Sequence, residues 1–375
     1  MTRPAPLHGI RVIELARILA GPWAGQVLAD LGAEVVKVES PAGDDTRKWG
    51  PPFIENADGT KDAAYFHAAN RGKSSIVVDF TTLEGQAVVH DLVRDADVVI
   101  ENFKLGGLAR YGLDHASLSA VNPRLIYCSI TGFGQDGPYA ARAGYDFIVQ
   151  GMSGLMDVTG DPAGAPMKIG VAYADILTGL YAVIGIQAAL LQRERTGLGQ
   201  QIDMALFDVM VGTLANQAMN YLASGNTPQR LGNAHPNIVP YEAYPVEDGW
   251  VIIAVGNDAQ FERLVELLEL ERREEWRTNA GRVGARATLS PIVAEKTRGW
   301  GRDALLSALE KQGIPAGPIN TVAEALADPQ IDARAMVIDM ARGDGSQVRG
   351  LRTPIRFSGA DLALGKASPK LGESG

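Results

Sequence analysis

One cysteine in 375 residues, Cys128, leaves no internal disulfide to form. It sits in the apolar run Leu125–Ile130. A buried structural thiol is expected there rather than a nucleophile, and a reducing, cytoplasmic setting fits it. The five histidines are His8, His67, His90, His115 and His235. They form no H-E-x-x-H pair and no Cys–His cluster, so no metal site is expected. No Walker A motif is present, and Gly151-Met-Ser-Gly154 is not a G-x-S-x-G elbow. The N-terminal Met1–Pro6 lacks the apolar segment of a secretory signal. The most apolar stretch, Ile176–Leu191, is shorter than the ~20 residues of a membrane span and contains Thr178, Tyr181 and Gln187. It reads as a buried helix, and no membrane partner is expected. Basic charge is also scarce: 35 Lys and Arg stand against 44 Asp and Glu, a net charge of −9. Nucleic acid is therefore not an expected partner, although a local cationic cluster can still hold a small anion.

What is present is ordinary for a large globular chain, with 46% hydrophobic and 21% charged residues. The length exceeds one typical domain of roughly 100–200 residues. Strands are predicted at Gly9–Leu15, Glu34–Glu39, Ser75–Phe80, Asp97–Glu101 and Arg124–Ile130. Helical patterns lie between several of them, at Trp23–Leu31 and Glu84–Arg94. Short Val/Ile-rich strands alternating with helices predict an α/β domain with a parallel sheet covered on both faces. Asp44–Asn70 reads as a long loop. Helices follow from Asp175 to Arg193 and from Leu206 to Leu222. The Gly/Asn/Pro-rich Ala223–Pro240 reads as a linker. A smaller α+β unit is predicted after it, opening on a hairpin at Tyr241–Val255 that turns at Glu247-Asp248-Gly249. Glu271–Glu275 reads as a solvated helix surface. Gly313–Ile319 closes that unit, and Met336–Phe357 alternates again, as a segment returning to the first domain would. The expected division is a large domain at 1–222, a linker at 223–240, a small domain at 241–324, and a linker and C-terminal return at 325–375.

Gly132-Phe-Gly134-Gln-Asp-Gly137 spells G-x-G-x-x-G after a strand, but Pro138 follows and no helix opens to receive a pyrophosphate. A glycine-rich turn is the better reading. The remaining oddity is Asp175, a carboxylate at the start of a helix that is apolar nearly all round. Capping is the commoner role for such an aspartate.

The order and spacing of several blocks identify more. Ala20-Gly-Pro-Trp23, Leu31–Glu39, Asn70-Arg-Gly-Lys-Ser74, Val99–Phe103, Thr131–Pro138, Gly144-Tyr-Asp146, the Asp175 block and Gly313–Ile319 together resemble family III CoA-transferases, the CaiB–BaiF family. The resemblance runs from Gly9 to about Glu373. It implies a Rossmann-like large domain with a small α+β domain, and an interlocked homodimer. It implies acyl-CoA and a small carboxylic acid as substrates, with no permanently bound cofactor. Asp175 takes the position of the family's nucleophile, which forms an aspartyl anhydride and then an aspartyl-CoA thioester. From a reference pKa of about 3.9 such a carboxylate is expected to be ionised at neutral pH. Leu19 and Ala20 match the turn backing the nucleotide, and Val78, Asp79, Phe80 and Thr81 the adenine segment. Asn102 and Phe103 match the pantetheine contact, Arg110 a phosphate contact, and Tyr145 and Asp146 the residues beside the nucleophile.

The α-methylacyl-CoA racemase branch places His and Glu where this chain has Tyr145 and Pro245. Formyl-CoA:oxalate transferases place His and Gln at Arg17 and Leu19. Arg230–Tyr241 instead resembles relatives using succinyl-CoA and dicarboxylates, of the glutarate type. Arg47 and His235 are the candidate partners for a distal substrate carboxylate.

Overall fold

The computed structural model describes residues 3–374. Among these, two compact units are present, one from 3–155, 169–214 and 329–374, the other from 156–168 and 215–328. The short segment 156–168 thus belongs with the second unit although it precedes the Asp175 helix.

The first unit carries β1 (Arg11–Glu14), β2 (Glu34–Glu39), the hairpin β3 (Phe53–Glu55) and β4 (Lys61–Ala63), then β5 (Ser74–Val77), β6 (Val98–Glu101), β7 (Ile126–Thr131) and β8 (Gln200–Ala205). Six of these form one sheet in the order β5-β2-β1-β6-β7-β8, with every pair parallel. In chain order that is 3-2-1-4-5-6, the doubly wound Rossmann arrangement, whose switch point lies between β1 and β6. Strand side chains alternate between faces. Val12, Val98 and Ile126 point to one face and pack with the Ala20–Asp30 and Tyr173–Thr196 helices. Ile13, Val99 and Tyr127 point to the other and pack with Val89 and Val93 of the Leu83–Arg94 helix.

Several predicted elements are corrected. Asp44–Asn70 is not a plain loop: it holds a 3-10 turn at Asp45–Lys48, the β3–β4 hairpin and a short helix at Ala64–His67. Three- and four-residue elements are too brief to show a period in sequence. The first helix begins at Ala20 rather than Trp23, because Pro22 lies in its first turn, where a missing N–H leaves no bond unmade. Leu206–Leu222 is two helices, Leu206–Gly212 and Ala215–Ser224, broken where Ala215 adopts φ +47°. β8 and the His115–Val121 helix add elements that the apolar pattern did not mark.

The second unit has an antiparallel sheet of β9 (Tyr241–Val246), β10 (Gly249–Ala254) and β11 (Ala316–Pro318), with the turn at Glu247-Asp248 as expected. Its core gathers Val251, Ile253, Phe261, Trp276, Leu289 and Leu305. Glu271–Glu275 is not helical surface; only a 3-10 turn at Glu274–Trp276 forms, anchored by buried Trp276. The chain re-enters the first unit through β12 (Val337–Ala341) and β13 (Gln347–Leu351).

The Tyr173–Thr196 helix is long and apolar enough to cross a membrane by length and composition. One of its faces packs in the core through Ala174, Ala182, Ile186 and Ala189. Its other face leaves Leu180, Tyr181, Ile184 and Leu191 exposed.

Candidate active site

The C-terminal ends of β1, β6 and β7 surround a cleft of about 490 Å³ at the switch point, where open α/β sheets bind ligands. Its walls include Leu19, Ala20, Phe80, Thr81, Asn102, Phe103, Arg110, Tyr145 and Asp175, so nine residues picked from sequence converge in one place. Arg17, Lys104, Arg110 and Arg142 supply four cations, and Asp175 is the only carboxylate among the described lining residues. Phe80, Phe103 and Tyr111 form an edge-to-face cluster on one wall, with centroids 5.6–5.7 Å apart. Arg17 lies 5.9 Å over Phe103 and Arg110 4.5 Å over Tyr111. Basic groups against aromatic faces suit a ligand with phosphates and a flat base.

Asp175 is the third residue of its helix and not its cap. Ala172 occupies the cap position and makes no side-chain cap bond. The carboxylate of Asp146 performs that role from another element. Its Oδ1 accepts the N–H of Ala174 at 2.7 Å and of Asp175 at 3.4 Å. Its Oδ2 accepts from Gln150 Nε2 at 2.8 Å, and Gln150 Oε1 accepts the N–H of Ile169 at 2.9 Å. The Asp175 side chain is thereby released from capping and left to the cleft. Burial, and then the charge of Asp146, push its pKa up to about 7. The expectation of full ionisation at neutral pH is corrected: desolvation outweighs the helix N-terminus.

Two glycines permit this geometry. A Cβ on Gly179, one turn after Asp175, would stand 2.7 Å from the Ala20 carbonyl oxygen, so the helix bearing Asp175 meets the first helix backbone to backbone. A Cβ on Gly144 would stand 2.5 Å from Gly132 Cα, which brings the Gly132 turn against the loop before Asp146.

Other sequence candidates are placed elsewhere or are already engaged. Val78 and Asp79 line a separate, shallow cleft of about 340 Å³, and the Asp79 carboxylate accepts from Thr81 N and Oγ1 at 3.0 and 2.6 Å. Arg47 does not reach the cleft. It is buried, paired with Glu39 at 2.6 Å and Asp62 at 3.0 Å, and stacked 3.7 Å over Phe66. A guanidinium with those partners is a structural brace, not a free substrate ligand. His235 lies in the second unit. Its Nδ1 accepts the N–H of Asn237, its ring packs on Tyr241, and burial followed by the Arg286 charge holds it below the usual imidazole range.

Sequence reading missed Arg142, Lys104 and Tyr65. Tyr65 sits within electrostatic reach of Asp175, Asp146 and Asp44, and burial with those charges pushes its phenol up to about 12. It therefore stays protonated as a potential donor. Nothing in its surroundings in sequence marks it, since the helix carrying it was read as loop. Among the described residues no cluster of three or more His, Cys, Asp or Glu is arranged to hold a metal ion.

The model of CoA-transferase family III matches residues 7–375. The chain belongs to that family. Three relatives are informative. A succinate–glutarate CoA-transferase of Agrobacterium fabrum is 59% identical, covering 99% of this chain and 94% of its own. The human succinyl-CoA:glutarate CoA-transferase is 39% identical, covering 100% of this chain and 85% of its own. The crystal structure of a CaiB/BaiF family protein from Brucella suis is 63% identical with a TM-score of 0.89, covering 99% of this chain and 97% of that one. This CoA-transferase thus shares its α/β architecture with the Brucella protein, and CoA thioesters are the substrates of the class.

Proposed function

We propose that this CoA-transferase moves CoA from succinyl-CoA to a dicarboxylic acid of the glutarate class, with Asp175 as the covalent nucleophile. The observation that carries the reading is a lone carboxylate in a cleft otherwise lined by cations, aromatics and small residues. The ionised Asp175 attacks the thioester carbonyl carbon, and the C–S bond breaks to release CoA thiolate. The thiolate attacks the aspartyl carbonyl of the resulting anhydride and expels succinate, leaving aspartyl-CoA. The acceptor carboxylate attacks that thioester and again frees thiolate. The thiolate then takes the acceptor acyl group and restores Asp175. Each step exchanges one acyl bond for another of similar energy, so no nucleotide triphosphate enters.

The donor and acceptor classes follow the activities of the Agrobacterium and human relatives. The cleft's own cations, Arg17 first, replace Arg47 and His235 as partners for a distal carboxylate. Arg17 is exposed, and its partner Asp45, at 3.2 Å, is exposed as well, so it can exchange partners. Phe103 and Arg110 are read as CoA contacts. Two copies of the chain are read as the working assembly, supported by the exposed apolar face of the Asp175 helix, and a reducing, cytoplasmic setting is read from the single, buried free thiol of Cys128.

The test is acyl exchange from succinyl-CoA to a panel of mono- and dicarboxylic acids, with hydroxylamine as trap and Asp175→Asn as control. Exchange confined to dicarboxylates, with a hydroxamate on Asp175 in the wild type alone, is expected. Exchange to monocarboxylates only would remove the substrate reading. Undiminished exchange by Asp175→Asn would remove the nucleophile.

A further inference from the structure

The segment between β1 and the first helix is held by side chains at three consecutive residues. Lys37 Nζ donates to the Ala16 carbonyl at 2.8 Å. Asn102 Oδ1 accepts the N–H of Arg17 at 3.0 Å while its Nδ2 donates to the Arg17 carbonyl at 2.6 Å. Both oxygens of Asp44 lie within bonding distance of the N–H of Ile18, at 3.2 and 3.3 Å. The three side chains come from β2, from the turn after it and from the end of β6. They are themselves fixed: Asp44 pairs with Lys37 at 2.9 Å, and Lys37 with Glu14 at 3.0 Å. All three charged groups are almost wholly buried.

What they hold is strained. Ile18 has φ +71°, a left-handed conformation that a β-branched residue avoids. A strained β-branched residue persists only where its surroundings over-determine it. Here the strain falls at the cleft. Arg17, Ile18, Leu19 and Ala20 all line it, and the Ala20 carbonyl abuts Gly179, one turn from Asp175.

We propose that Asn102, with Asp44 and Lys37, is a positioning residue for CoA transfer, clamping Ala16–Ile18 in a left-handed turn that sets the first helix against the one bearing Asp175. Asn102 acts through the backbone of Arg17, to which its carboxamide both donates and accepts. This departs from the direct CoA contact that the family resemblance implies for it. The proposal rests on the cleft being the transfer site.

The kinetics separate these roles. Asn102→Ala, measured by acyl exchange, is expected to lower kcat about tenfold or more with KM for acyl-CoA changed less than threefold, the signature of lost geometry in the transition state. Ile18→Gly admits the left-handed turn without strain and makes the clamp less necessary. Asn102→Ala introduced into Ile18→Gly is therefore expected to lower kcat by a clearly smaller factor than in the wild type. Melting curves establish that each variant is folded at the assay temperature. An Asn102→Ala enzyme with raised KM and unchanged kcat would make Asn102 a direct CoA ligand and overturn the proposal. Equal losses in both backgrounds, or a lowered Tm with both constants unchanged, would overturn it too. Because these comparisons use exchange-active enzyme and leave Asp175 intact, their failure leaves the nucleophile assignment standing.

Discussion

At Asp175 two demands conflict. In its proposed role as nucleophile it must be ionised, yet burial and then the charge of Asp146 push its pKa up to about 7. The kcat/KM of free enzyme should therefore rise with pH through about 7 and level off above it, losing about tenfold per unit on the acid side. Stability should run the other way. The folded pKa lies above the unfolded value of 3.8, so the folded state holds the proton more tightly. That stabilisation is complete below pH 3.8 and is lost as pH rises through 7. Asp175→Asn should consequently abolish transfer and raise stability at pH 8, by at most about 4 kcal/mol given a carboxyl held at about 7 rather than 3.8, read from chemical denaturation. Asp146→Asn keeps an oxygen for the Ala174 N–H but removes the like charge. It should shift the pH–rate midpoint downward, and an unmoved midpoint would show that burial alone sets it. Arg47 illustrates the opposite case, a cation wholly occupied by structure. Arg47→Met should destabilise by about 3 kcal/mol by stranding Glu39 and Asp62, with the order of acceptor preferences in the exchange panel unchanged.

Between elements, the contact to test is that of the two helices behind the cleft. Gly179→Val would force its side chain into the Ala20 carbonyl. Overpacking of this kind destabilises by about 1–3 kcal/mol, and here it should also lower kcat, because the displaced helix carries Asp175. A matched loss of stability without loss of kcat, in melts and exchange assays of the same sample, would show that the helix spacing is incidental to turnover. Element recognition from sequence succeeded where periodicity was long. β1, β2, β6 and β7 were legible because buried parallel strands are near-continuous Val/Ile runs. The β3–β4 hairpin was not, since Phe-Ile-Glu and Lys-Asp-Ala are too short and too polar to carry a pattern. Asp175 was legible in the first turn of its helix, whereas the carboxylate that caps that helix was not, because a cap can be supplied by a residue 29 positions away.

For the whole molecule, net charge and local charge diverge. The chain carries −9, yet the cleft gathers Arg17, Lys104, Arg110 and Arg142. Binding of a polyphosphate ligand there should weaken with salt, since screening acts over about 10 Å at 0.1 M. KM for acyl-CoA is expected to climb with ionic strength while kcat holds, and Arg110→Ala should flatten that dependence. A KM insensitive to salt would place the phosphates elsewhere. The sequence by itself determined the alternation of strands and helices, the absence of dinucleotide and P-loop motifs, and the family blocks with Asp175 among them, because these are properties of local pattern and order along one chain. Only the tertiary structure decided that Arg47 is a brace, that Asp146 caps the helix of Asp175, and that Asn102 grips Arg17. Each of those facts depends on which side chain reaches a partner first, and that is settled by packing between segments up to 85 residues apart.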